Sequence, residues 1–214
     1  MQGHNTHERR IFQALLKNSK YRGRVPSFSF LRVENTISDS INLYSFDIKK
    51  TAGASASEVK LDRNDLFVVT RIGLYLMEDV TAEPGYGVLQ TYPNANGFTA
   101  ATGFNVRDLE AIYNGYLTVK IGQKTNIEKL PTSAFRFVPE TRGDGTISYQ
   151  QMNALDYSYM PSEVLSLDGG DDITIELRHP TWSGSQAAAA AAGVTNKLVF
   201  VPYGFLIRNG GRKG

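Results

Sequence analysis

The sequence predicts an all-β fold, an antiparallel β-sandwich with a short helical arm ahead of it and one short helix inside it. Three observations lead there. Polar and apolar residues alternate over several short stretches, the period of a strand with one face in a core. Strands and helices do not alternate along the chain, which argues against a parallel sheet flanked by helices. The 214 residues include no cysteine, and 41% are hydrophobic against 21% charged. A chain of this size and composition holds its core without disulfides or thiolate-bound metal. No apolar run reaches the ~18 residues needed to span a bilayer. The N-terminal MQGHNTHERR lacks the apolar stretch of a secretory leader, so none is expected.

Residues 5–18 are expected to be helical. Asn5 caps, and Glu8 stands three residues on at capping-box spacing. Ile11, Phe12, Leu15 and Leu16 then form one apolar stripe, opposite a basic face. Such a helix needs a partner surface: its own core, a neighbouring subunit or a membrane. The stripe is short for a membrane, so protein contact is expected. Asn18 to Arg24 reads as a flexible link. Residues 1–24 are thus a basic arm, 25–208 the sandwich domain and 209–214 a basic tail.

Within the domain, strands are expected over 26–33, 41–48, from Val59, over 66–77, 116–121, 134–138, 171–178 and 197–207. Leu66 to Met77 is the strongest, and Gly73 marks a bend or bulge within it. Pro202 and Gly204 argue that the last strand is an edge or a bent one. Residues 79–105 read as a long loop with one short strand at 88–92. Residues 105–114 read as a short helix, capped by Asn105 or Asp108, stopped by Asn114-Gly115, with Leu109, Ile112 and Tyr113 facing inward. Residues 51–57, 140–162 and 183–193 are loops. Eight or nine strands joined by long loops suit a jelly roll best.

The net charge of +2 hides an asymmetry. Arg9, Arg10, Lys17, Lys20, Arg22 and Arg24 against Glu8 give residues 1–25 a net +5. Arg208, Arg212 and Lys213 give the last ten residues +3, which leaves −6 on residues 26–204. Basic ends on an acidic body point to contact with acidic protein surface or polyanions through Arg9, Arg10, Arg22, Arg24, Arg212 and Lys213. Because the folded body lacks a basic excess, any nucleic-acid contact by the arm is expected to be unspecific backbone attraction.

Catalytic patterns are missing. There is no phosphate-binding G-x-x-x-x-G-K-[ST] and no G-x-S-x-G elbow, and Gly85-Tyr-Gly87 lacks the strand–helix setting of a dinucleotide site. No carboxylate pair is singled out for glycoside hydrolysis. His4 and His7 stand one helical turn apart but have no assured third ligand, and His179 has no evident partner. Asp168, Asp171 and Asp172 have the chemistry to hold Ca²⁺, although a charged turn before a strand is the plainer reading. Neither enzyme activity, cofactor nor metal is expected.

Four segments have the texture of a known group: Phe67-Val-Val-Thr-Arg-Ile-Gly-Leu-Tyr-Leu76, Tyr113-Asn-Gly-Tyr-Leu-Thr-Val-Lys-Ile121, Phe135-Arg-Phe-Val-Pro-Glu-Thr-Arg142 and Ile173-Thr-Ile-Glu-Leu177. Over residues 60–180 the chain resembles jelly-roll virion structural proteins of bacteriophages. That resemblance implies a capsid or capsid-associated subunit, located in the virion, without an active site, whose partners are copies of itself and other virion proteins. The arm residues Ile11, Phe12, Leu15 and Leu16 would then dock on a neighbour. The alternative is a carbohydrate- or receptor-binding sandwich that uses loop aromatics (Tyr86, Tyr92, Phe98, Tyr149, Tyr157, Tyr159 and Trp182).

Overall fold

A computed structural model describes residues 2–21, 23–51, 57–80, 82, 87–93, 98, 106–138, 158–181 and 192–211. Among them, nine strands form two antiparallel sheets in a sandwich-like arrangement. The first sheet runs β1 (Ser27–Phe30), β9 (Val194–Ile207), β4 (Leu66–Val80), β7 (Leu165–Asp168), and β2 (Val33–Thr36) also pairs with β9. The second runs β3 (Leu43–Ser45), β8 (Ile173–Arg178), β5 (Tyr116–Ile121), β6 (Lys124–Pro131). A helix, α1 (Gln2–Lys17), precedes them. No helix among the described residues is long and apolar enough to cross a membrane.

The core lies between the sheets. Leu74, Leu76, Leu198 and Phe200 face it from the first sheet, and Leu117, Val119, Ile175 and Leu177 from the second. Phe46, just after β3, stacks on Phe200 at 5.1 Å between ring centroids. As expected, Leu109, Ile112 and Tyr113 are buried, carried by a 3₁₀ segment, Val106–Asn114. Thr132 fixes its end: its hydroxyl donates to Ile112 O at 2.6 Å and accepts from Gly115 N at 2.9 Å.

Several expectations need correction. The closing strand is no edge. β9 pairs with β4 from Val194 to Ile207 on one side and with β1 and β2 on the other. Pro202 leaves its mark elsewhere: Leu31 N donates to Pro202 O at 2.9 Å, but proline has no N–H to return the bond. The partner strand lapses at this point, which divides 26–33 into β1 and the start of β2. Arg32 turns instead to Val59, exchanging bonds of 2.8 and 3.0 Å.

The β4 bulge falls at Thr70, between Val69 and Arg71, and not at Gly73. Gly73 sits under the Tyr75 ring, where an added Cβ would lie 2.4 Å from it. At Gly204, beside the bulge, an added Cβ would lie 1.9 Å from Val68 O. Ala134–Val138 is not a strand: Thr132–Phe135 is a 3₁₀ turn that puts Phe135 into the core. After it, Thr91 Oγ1 donates to Phe137 O at 2.6 Å. β6 and β7 have no counterpart among the expected strands. In the 88–92 stretch only Gln90 pairs, through two 2.8 Å bonds with Leu76. The loop residues 52–56, 140–157 and 183–191 lie outside the described residues.

Candidate functional site

α1 lies on the outer face of the first sheet. Ile11, 7% exposed, packs with Leu66, Val68, Phe205 and Ile207, and Phe12 and Leu15 are partly buried beside them. Phe12 meets the Phe205 ring at 5.4 Å. Glu8 pairs with the buried Arg71 of β4 at 3.0 Å, which lets that strand carry a cation on a covered face. The stripe expected on a neighbour therefore rests on the chain's own sheet, except Leu16, which is 47% exposed. This cover buries the outer face of β4 at Leu66 and Val68, and farther along the strand Tyr75 and Met77 are buried on that face with Val199, Val201, Tyr203 and Leu89, so β4 is buried on both faces from Leu66 to Met77. Arg9, Arg10 and Lys17 face solvent, and Arg24 is half-buried. Arg22, Arg212 and Lys213 lie outside the described residues.

On β1, beside this helix, Phe28 sets its edge on Phe205 at 5.7 Å and Phe30 leans on Tyr203 at 6.5 Å. Both stay about half exposed, at 48% and 43%. Phe205 thus joins the helix and the edge strand into one apolar strip.

A groove of about 350 Å³ opens on the outer face of the second sheet. Its wall is built by two irregularities in β6. Leu117 pairs with Leu130 and Val119 with Ile127, so Glu128 and Lys129 together oppose the single residue Thr118. Consecutive strand residues normally point to opposite faces, but this bulge turns both toward the groove. Lys129 holds φ at 50°, left-handed backbone that costs a non-glycine residue roughly 1–2 kcal/mol. A second bulge at Asn126 adds to the bend. Lys120, Glu176 and Arg178 supply the other charges from β5 and β8. Among the described residues, none of these five charged groups is ion-paired.

The first sheet's other end carries paired charges. Glu34 of β2 meets Arg32 at 2.8 Å and Lys197 at 2.9 Å, and Lys197 reaches Asp79 of β4 at 2.5 Å. Burial pushes the Lys197 ammonium down, but its hydrogen bonds to Asp79 and Glu34 outweigh that and hold it above the ordinary lysine value.

The remaining candidates disperse. Asp168 accepts from Gly170 N at 3.0 Å and its carbonyl from Asp171 N at 3.0 Å, a charged turn. Among the described residues, no three His, Asp or Glu side chains are arranged to hold a metal ion. Phe98 is buried in the core, and Tyr159 packs on Phe135 edge-on. Tyr92 is half-buried, and Tyr86, Tyr149, Tyr157 and Trp182 lie outside the described residues. The His4 side chain also lies outside them, and His7 is half-buried.

His179 is buried and stacked on Tyr44 at 5.8 Å, with Nδ1–H donating to Pro180 O at 2.6 Å. Burial pushes its pKa below the usual 6.5, partly offset by backbone hydrogen bonds to Pro180 and Ile41. The folded state thus favours neutral imidazole. Its contribution to stability is full above pH 6.5 and is lost as pH falls through the folded value. The stability advantage of the native chain over His179→Phe should shrink between pH 7.5 and pH 5 in urea titrations; a constant difference would refute the assignment.

The chain matches none of the protein-family models, curated proteins or solved structures with which it was compared.

Proposed function

We propose that this chain is a non-enzymatic structural subunit of a virus particle, a capsid or capsid-associated protein that assembles with copies of itself and other virion proteins. The strand order carries this reading. If β1 and β2 count as one strand broken opposite Pro202, the eight strands are ordered 1-8-3-6 in one sheet and 2-7-4-5 in the other. That order is expected of two interlocked Greek keys, hence of a jelly roll.

Jelly rolls also serve lectins and cupins, so the fold alone does not select the role. The surface favours assembly. Phe28 and Phe30 hold aromatic rings out in water along a sheet edge, the residue type and position that contacts between subunits use. α1, whose Phe12 shares the Phe205 ring with Phe28, exposes Arg9 and Arg10, which suit an acidic neighbour such as the body's −6 provides.

Native mass, followed by light scattering over rising concentration, tests the proposal. The full chain should form large closed assemblies, and Phe28→Ser with Phe30→Ser should break them up at temperatures well below the melting transition of the variant. A chain that remains monomeric at high concentration would overturn the assembly reading.

A further inference from the structure

We infer that the groove on the outer face of the second sheet binds an acidic sugar, one that carries a carboxylate or sulfate among its hydroxyls. Its volume of about 350 Å³ lies in the range of small-ligand sites. Three observations set the chemistry.

Charges of both signs stand in it unpaired. Opposite charges across neighbouring strands ordinarily find each other. Here Lys120, Lys129 and Arg178 share a groove with Glu128 and Glu176, and among the described residues none of the five is ion-paired. Three cations over two carboxylates leave an excess of +1, suited to one anionic group. The Arg178 guanidinium presents the planar fork that fits a carboxylate or sulfate.

The carboxylates decide against a polyanion. Glu128 and Glu176 would repel a run of phosphates, but they accept hydrogen bonds from sugar hydroxyls, as the Thr118 hydroxyl also does. Tyr116 adds a ring against which the C–H face of a pyranose can lie.

The strain has a use. Lys129 occupies left-handed backbone at a bulge that brings it and Glu128 to one side. Strained residues and bulges recur where a side chain is aimed at a ligand. With regular pairing, one of the two would point into the core.

An NMR titration of the full chain with glucuronic acid, glucose 6-sulfate, glucose and inorganic sulfate tests this site. Glucuronic acid should shift the amides of residues 116–120 and 176–178 saturably, and glucose should bind about tenfold more weakly. Arg178→Gln should reduce affinity for glucuronic acid by about tenfold, the worth of one charge-assisted pair. Lys129→Gly, which suits the left-handed backbone, should keep the fold and still weaken binding. No saturable shift, equal binding of glucose, undiminished affinity in Arg178→Gln, or inorganic sulfate as tight as the sugar acid would each overturn the inference.

Discussion

Replacing Lys197 with methionine should destabilise the protein by about 3–5 kcal/mol, because it takes the shared cation from two buried carboxylates. Lys197 Nζ lies 2.9 Å from Glu34 and 2.5 Å from Asp79, whose side chains are only 4% and 3% exposed. The substitution leaves Glu34 with Arg32 as its remaining ion-pair partner and takes the ammonium from Asp79. Urea unfolding should show a lower midpoint at an unchanged slope. Converting Asp79 and Lys197 together to apolar residues, with Glu34 left to Arg32, should recover part of the loss, since much of the cost lies in a buried carboxylate that has lost its cation. A loss below ~1 kcal/mol in the single variant would place the cluster with ordinary surface pairs. Alkali gives a second signature. The folded-state value of Lys197 is raised, so its contribution is complete below the unfolded value of 10.5 and is lost as pH rises through the folded one.

Phe200→Ala should cost a similar ~3–5 kcal/mol for a different reason, a void at the centre of the sandwich. Phe200 is 1% exposed and stacks on Phe46, so it ties β9 to the opposite layer. For a chain of this length the loss corresponds to a melting point lower by roughly 6–20 °C. Calorimetry should find that shift, and a much smaller one for Phe28→Ala, whose ring is 48% exposed. A drop below ~2 °C would mean that the layers do not depend on this contact.

The sequence makes the core legible wherever one signal governs. Leu66 to Met77 reads as a strand because apolar, β-branched and aromatic residues run without a break. The cause of the unbroken run, a helix over the outer face at Leu66 and Val68 and Leu89 beside Tyr75 and Met77, does not show in the strand itself. Misreadings arise where a local rule meets a tertiary one. Pro202 and Gly204 read as edge signals, yet β9 is central. The sheet accepts the proline by breaking its neighbour, and the glycine lets Val68 O come close. β6 escapes notice because Ile127 and Leu130 stand three apart, an interval that breaks the period of two. That interval is also the one trace of the groove in the sequence. Its charged residues come from three separate strands and look, one at a time, like an ordinary solvated face. The ion cluster is hidden in the same way, since Glu34 and Lys197 are 163 residues apart.

The long pairing of β4 with β9 bears on how the chain must be made. Residues 66–80 cannot find their principal partner until residues 194–207 have left the ribosome. Until then β4 is an apolar segment, open along one edge, on a growing polypeptide. Loop closure over such a span is slow and leaves the intermediate prone to clumping. Shelter of the nascent chain would limit that clumping, and a product cut short before residue 194 would lack the middle of its larger sheet.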